Sequence, residues 1–219
     1  MIKFFAALFM LIDHTGLIFG DIQALRIVGR LSMPLFAYAT ARGFYFSKKR
    51  GTVRKYARNL LLFSLVSQVP YGIMEYWICG KISLNIGITW LLAVVLMKIL
   101  CTEGRLPYLC LFTTAVFALA FTVPVDYGIY GVLLPCLFYF TFFVIYKPQY
   151  AFCGMAALLL LYAVQHGSGV LIQSFSLAAF PFLLLFKKYD NKLRLPRRVF
   201  YWFYPAHIAV LLAIRYLTM

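Results

Sequence analysis

Residues 2–46 read IKFFAALFMLIDHTGLIF, GDIQ, ALRIVGRLSMPLFAYATARGFYF: two apolar runs, Ile2 to Phe19 and Ala24 to Phe46, on either side of the turn Gly20-Asp21-Ile22-Gln23. Each run is close to the roughly 20 residues that an α-helix needs to cross a hydrocarbon core. Neither shows the short alternating segments of a barrel strand, so the pattern predicts a tight helical hairpin. The first run lacks both a strongly basic start and a small-residue cleavage site, and it reads as a retained helix, not a cleaved signal. Immediately after the hairpin comes the densest basic run before the C-terminal region, with Lys48, Lys49, Arg50, Arg54, Lys55 and Arg58.

Outward from this hairpin the chain repeats the same alternation. Further apolar runs lie at about Leu60 to Ile78, Leu84 to Cys101, Pro107 to Thr122, Tyr127 to Tyr146, Ala151 to Gln165, Val170 to Phe186 and Val199 to Leu217. With 64% hydrophobic and 12% charged residues among 219, there is too little polar surface to face water. A soluble domain carries about 25% charged side chains. The expectation is an all-α, polytopic transmembrane bundle of about nine spans forming one domain. The formal charge of +15 falls mostly between the runs. Lys98, Arg105, Lys147, Lys187, Lys188, Lys192, Arg194, Arg197 and Arg198 share the side of the 48–58 loop, which makes that side, and the N-terminus, cytoplasmic. The place expected for the protein is the bacterial cytoplasmic membrane. No basic face with interleaved aromatics suggests nucleic acid.

The five cysteines are scattered through apolar segments without a CxxC pair. The three histidines, His14, His166 and His207, show no metal-ligand spacing, so no metal site is expected. There is neither a P-loop nor a GxGxxG string. His166-Gly167-Ser168-Gly169 reads as a connecting turn, since no strand precedes its serine.

A charge at mid-bilayer costs roughly 2.5–3.5 kcal/mol on insertion scales, so ionisable groups inside the runs carry the functional signal. Asp13 and His14 interrupt the first run, and Arg26, Arg30 and Arg42 punctuate the second. At about 1.5 Å per residue, His14 and Arg30 both sit about 9–12 Å from the turn and can face one another. Arg26 and Arg30, spaced i, i+4, share a face and offer Asp13 a choice of partners. A cation beside His14 disfavours a second positive charge on the imidazole and leaves it free to accept a proton. The last run carries Tyr204-Pro205-Ala206-His207, where the proline frees a backbone carbonyl. Gln68, Asn85 and Asp126 are further polar interruptions, the last read most simply as a helix N-cap.

The strings Met10-Leu11-Ile12-Asp13-His14-Thr15-Gly16, Gly29-Arg30-Leu31-Ser32-Met33-Pro34 and Phe63-Ser64-Leu65-Val66-Ser67-Gln68-Val69-Pro70-Tyr71 resemble the TraX family, named for the conjugation protein that acetylates pilin. So do Leu84-Asn85-Ile86, Asp126-Tyr127-Gly128-Ile129-Tyr130-Gly131 and Tyr201-Trp202-Phe203-Tyr204-Pro205-Ala206-His207, and the matches run in order over nearly the whole chain. The resemblance implies an integral membrane acyltransferase that takes an acetyl group from cytoplasmic acetyl-CoA and passes it to a pilin-like peptide or a cell-envelope glycan. On that reading His14 is the general base, Arg30 stabilises the oxyanion or a phosphate, and Asp13 holds Arg30 or Arg26. Arg26, Arg42, Arg54, Lys55 and Arg58 are expected to meet CoA. Gln68, Asn85, Asp126, Tyr204 and His207 are expected at the acceptor. The rival readings are a proton-coupled transporter relaying through Asp13, His14, Arg30 and His207, and a scaffold whose polar groups only join helices.

Overall fold

The computed structural model describes residues 1–102, 115, 124–189 and 197–218. Among them every regular element is helical, and one isolated bridge pairs Leu84 with Val125. In chain order the helices are α1 Ile2–Ile18, α2 Gln23–Gly29, α3 Ser32–Lys49, α4 Val53–Cys79, α5 Ile86–Leu100 and α6 Gly128–Tyr139. A π-turn, Phe140–Val144, extends α6. They continue with α7 Gln149–His166, α8 Val170–Ser174, α9 Ala179–Phe186 and α10 Arg197–Thr218, with 3₁₀ turns at Gly167–Gly169 and Phe175–Ala178 bridging α7 to α8 and α8 to α9. The expected run Pro107 to Thr122 lies, Ala115 aside, outside the described residues, as do Arg105, Lys192 and Arg194.

Two boundaries differ from the sequence reading, for identifiable reasons. The expected second helix is broken at Arg30-Leu31. Pro34 has no N–H, and its ring would collide with the carbonyl four residues earlier, that of Arg30, so one straight helix cannot pass through both. The basic run is also mostly helical: α4 starts at Val53, which puts Arg54, Lys55 and Arg58 in its first two turns instead of in a loop.

Helix α1 is central, packing on α2, α3 and α10. It runs parallel to α10, since Lys3 lies 5.7 Å over the Phe200 ring at one end and Arg215 Nη1 donates to the Ile18 carbonyl at the other. Helices α3 and α5 pack on α6, α4 bridges α5 and α10, and α7 covers α6. Helices α1 and α2 approach closely: a Cβ on Gly29 would collide with the Cα and Cβ of Asp13. Glycine is needed there because the backbones meet at the level of the charged residues.

The middle of α4 is inverted relative to a surface helix of a water-soluble bundle. On α4, Ser64 and Ser67 are 0% exposed while Leu62, Leu65 and Val69 are 55%, 58% and 67% exposed. The polar side chains face the bundle and the aliphatic ones face out, as in helix packing within lipid. Among the described residues, two stretches, Val170–Tyr189 and Val199–Thr218, are long and apolar enough to cross a membrane. The helices Ile86–Leu100, Gly128–Val144 and Gln149–Val164 are apolar but shorter.

Candidate functional site

The close α1–α2 crossing fixes the first part of the site. Asp13, buried, takes a hydrogen bond from Arg26 Nη1 at 3.1 Å through Oδ2, and Arg30 Nη2 lies 3.5 Å from Oδ1. The i, i+4 guanidiniums thus straddle one carboxylate. Arg26 Nε also lies 3.5 Å from Asp21 in the exposed turn. Arg30 Nη1 donates to Tyr127 Oη at 3.1 Å and to Gln173 Oε1 at 3.3 Å. The helix break turns Arg30 toward α6 and α8, and both its terminal nitrogens have partners.

His14, one residue along α1, is held by a different element. Its Nδ1 lies 2.6 Å from Nε2 of His207 on α10, with the ring planes 7° apart, so the imidazoles meet edge to edge. His207 Nδ1 in turn contacts the Phe203 carbonyl at 2.7 Å. A carbonyl only accepts, so His207 Nδ1 carries the hydrogen, and in the neutral ring Nε2 carries the lone pair. It follows that His14 donates from Nδ1, and His14 Nε2 is left as an unprotonated nitrogen. Phe203 stacks on His207 with ring centroids 4.9 Å apart, and Tyr204 packs edge-on to His14 at 6.0 Å, so neither imidazole is loose.

His14 lines a small cavity of about 30 Å³, walled by Met10, Asp13, Ser32, Met33, Phe36, Ile86, Trp90, Asp126, Tyr127 and Tyr204. That is room for about one water. Trp90 Nε1 and Tyr204 Oη are both buried and have no hydrogen-bond partner among the described residues. A buried donor left unpaired costs about 1–3 kcal/mol. Tyr127, at φ +60°, is held in the left-handed region that residues with a Cβ rarely adopt.

The expected residues therefore divide. Asp13, His14, Asp126 and Tyr204 line the cavity, and His207 backs it through His14; Arg30 is linked to it through Asp13 and Tyr127. Asp126 is not an N-cap: Tyr127 is the cap position of α6, and the Asp126 backbone pairs with Leu84 O and Thr89 Oγ1. Gln68 and Asn85 are committed elsewhere. Gln68 Oε1 accepts from Asn85 N and Nδ2, its Nε2 donates to Ser83 O, and Asn85 Oδ1 caps α5 by accepting from Gly87 N. These amides join α4 to α5, and most of their hydrogen-bonding capacity is used in doing so.

Arg26 is likewise bound up at the α1–α2 turn. Arg42 lies on α3 about 15 Å along the axis from Ser32, over the Phe46 ring at 5.6 Å. Arg54, Lys55 and Arg58 are exposed on α4. Arg26 is thus separated from the other four cations. Trp90, Tyr127 and Gln173 were not singled out by sequence reasoning. Gln173 had a readable signal, a lone amide in an apolar run, whereas Trp90 on α5 had none.

Comparison with known proteins agrees with the resemblance that these strings carry. The chain is 28% identical to the probable fimbrial assembly protein FimC, serogroup H1, of Dichelobacter nodosus, over 96% of this chain and 92% of that protein. No solved structure matches it. The family model described as TraX protein matches residues 1–215, and the chain belongs to the TraX family.

Proposed function

We propose that this chain is a multi-pass acyltransferase of the bacterial cytoplasmic membrane, which moves an acetyl group from cytoplasmic acetyl-CoA to an amine or hydroxyl acceptor. The observation that carries the reading is the chain Phe203 carbonyl, His207, His14, which leaves His14 Nε2 as a base whose orientation is fixed from behind. Such a dyad is what proton removal from a weak nucleophile requires. The fimbrial assembly name of the relative favours a pilin-like peptide as acceptor over a cell-envelope glycan. The inverted α4 surface favours lipid surroundings, and the parallel course of α1 and α10 fits an odd number of crossings such as nine.

In this mechanism His14 Nε2 takes the proton from the acceptor N–H or O–H as the acceptor lone pair bonds to the thioester carbon. The carbonyl π pair moves onto oxygen, giving a tetrahedral oxyanion. Its collapse re-forms the C=O bond and breaks the C–S bond. The departing CoA thiolate takes the proton from the His14 imidazolium. His207 accepts from His14 Nδ1 throughout and spreads the transient charge. The Asp13 cluster holds α1 against α2 and so sets the height of His14. Arg42, Arg54, Lys55 and Arg58 are the cations available to gather the polyanionic CoA from the cytoplasm.

The experiment is transfer of radiolabelled acetyl from acetyl-CoA by the purified protein in lipid nanodiscs, with peptide amines and envelope sugars offered as acceptors. Label transfer that vanishes in His14→Ala is the expected result. Transfer unaffected by that substitution removes His14 from the chemistry. Substrate flux into proteoliposomes with no CoA turnover would favour a transporter instead.

A further inference from the structure

The base accounts for one half of acyl transfer, and the other half is the negative charge that develops on the thioester oxygen. Arg30 was expected to meet it, yet its Nη1 and Nη2 already serve Tyr127, Gln173 and Asp13. Two residues that line the cavity beside His14 carry donors without a partner among the described residues. Trp90 is 7% and Tyr204 3% exposed, both line the cavity, and neither Nε1 nor Oη has a partner among those residues. Buried polar groups are nearly always paired, so two idle donors on the walls of one small cavity, next to an oriented base, call for an acceptor atom that arrives with a ligand.

We propose that Trp90 Nε1–H and Tyr204 O–H are the donor pair that holds the thioester carbonyl oxygen as it becomes an oxyanion during acyl transfer to the acceptor that His14 deprotonates. This rests on the acyl-transfer reading above and adds the catalytic residues that stabilise its intermediate. The donors come from two helices, α5 and α10, with the base on a third, α1, so the reacting carbon would sit between the base and its electrostatic support. Both donors are rigidly mounted. Trp90 packs on Phe36 at 5.4 Å, and α5 is capped by Asn85 within the Gln68 network. Tyr204 packs on Phe63 at 5.5 Å and on His207 at 5.7 Å. Preorganised donors of this kind need no reorientation when charge appears, which is where their catalytic value lies.

The cavity's volume of about 30 Å³ suits one oxygen, not a whole acetyl group. Met10 and Met33 line it, and their unbranched, flexible side chains are the walls able to yield to the methyl.

The test uses the full chain in nanodiscs with Trp90→Phe and Tyr204→Phe, each of which deletes one donor and keeps the ring. Each variant should lose about 100-fold in kcat, the low end of what one oxyanion donor is worth, with KM for acetyl-CoA within about twofold of the parent. Infrared spectroscopy of bound carbonyl-¹³C-acetyl-CoA provides a reading on the parent protein alone. Its thioester band should fall in frequency on binding, and each substitution should reverse part of that fall. An unshifted band in the parent, or both variants retaining activity within about threefold, overturns the proposal. If His14→Ala is dead while both donor variants are fully active, acyl transfer stands and only the donor pair is wrong. Full activity in His14→Ala removes the base reading itself.

Discussion

Replacing His207 tests the tautomer argument without touching the proposed base. In His207→Ala, His14 Nδ1–H loses its acceptor, and the two rings' 2.6 Å contact disappears. In the transition state the lost bond is one from a cationic imidazolium, and hydrogen bonds to charged groups contribute about 1.5–3 kcal/mol. At about 1.36 kcal/mol per decade, kcat should fall roughly 10- to 150-fold. Removing the base itself in His14→Ala should cost more, up to the roughly 10⁴-fold attributed to general base catalysis. His207→Gln places a carbonyl oxygen near the old Nε2 and should recover part of the loss. The assay is label transfer from acetyl-CoA at saturating substrate, with thermal unfolding in nanodiscs to confirm that each variant is folded. A folded His207→Ala with parental kcat, or a Gln variant no better than Ala, would refute the relay.

Gly29→Ala places a methyl against the Asp13 backbone and should lower stability by about 1–3 kcal/mol, read as a reduced unfolding temperature. Asp13→Ala leaves two guanidiniums around an empty space and should cost about 3–5 kcal/mol, whereas a combined Asp13→Leu and Arg30→Met variant should recover much of it; unfolding temperatures of the pair decide this. Replacing Arg54, Lys55 and Arg58 together by Gln should raise KM for acetyl-CoA several-fold at low salt with kcat unchanged, and the difference should shrink as salt screens the field. An unaltered KM would move CoA binding to other residues.

The helical class and the first hairpin were legible because charge inside an apolar run is rare and costly, so Asp13, His14, Arg26 and Arg30 stood out without any knowledge of packing. Helical spacing offered Asp13 a choice between the two arginines, and in the structure it meets both. The break at Arg30 was also written in the chain, in Pro34 four residues on, but length and hydropathy overrode it. What spacing could not reveal is who meets whom across distant helices. His14 and His207 are 193 residues apart, and nothing in either string names the other. Trp90 was invisible for a related reason: an indole in an apolar run reads as packing, and its idle N–H becomes evident only when its neighbours are known. Gln68 and Asn85 stood out because they are polar in apolar surroundings, but that they bond to each other and join α4 to α5 could not be read from either string.

The central claim is that an imidazole nitrogen freed by its partner drives attack on a thioester. The most direct measurement is the rate of free CoA thiol release from acetyl-CoA by purified protein, compared between the parent chain and the near-isosteric His14→Asn. Thiol release by the parent should be steady and accelerated by acceptor, and it should fall by at least about 100-fold in the variant. Equal rates in the two proteins, or no thiol release from the parent with any acceptor, would contradict it.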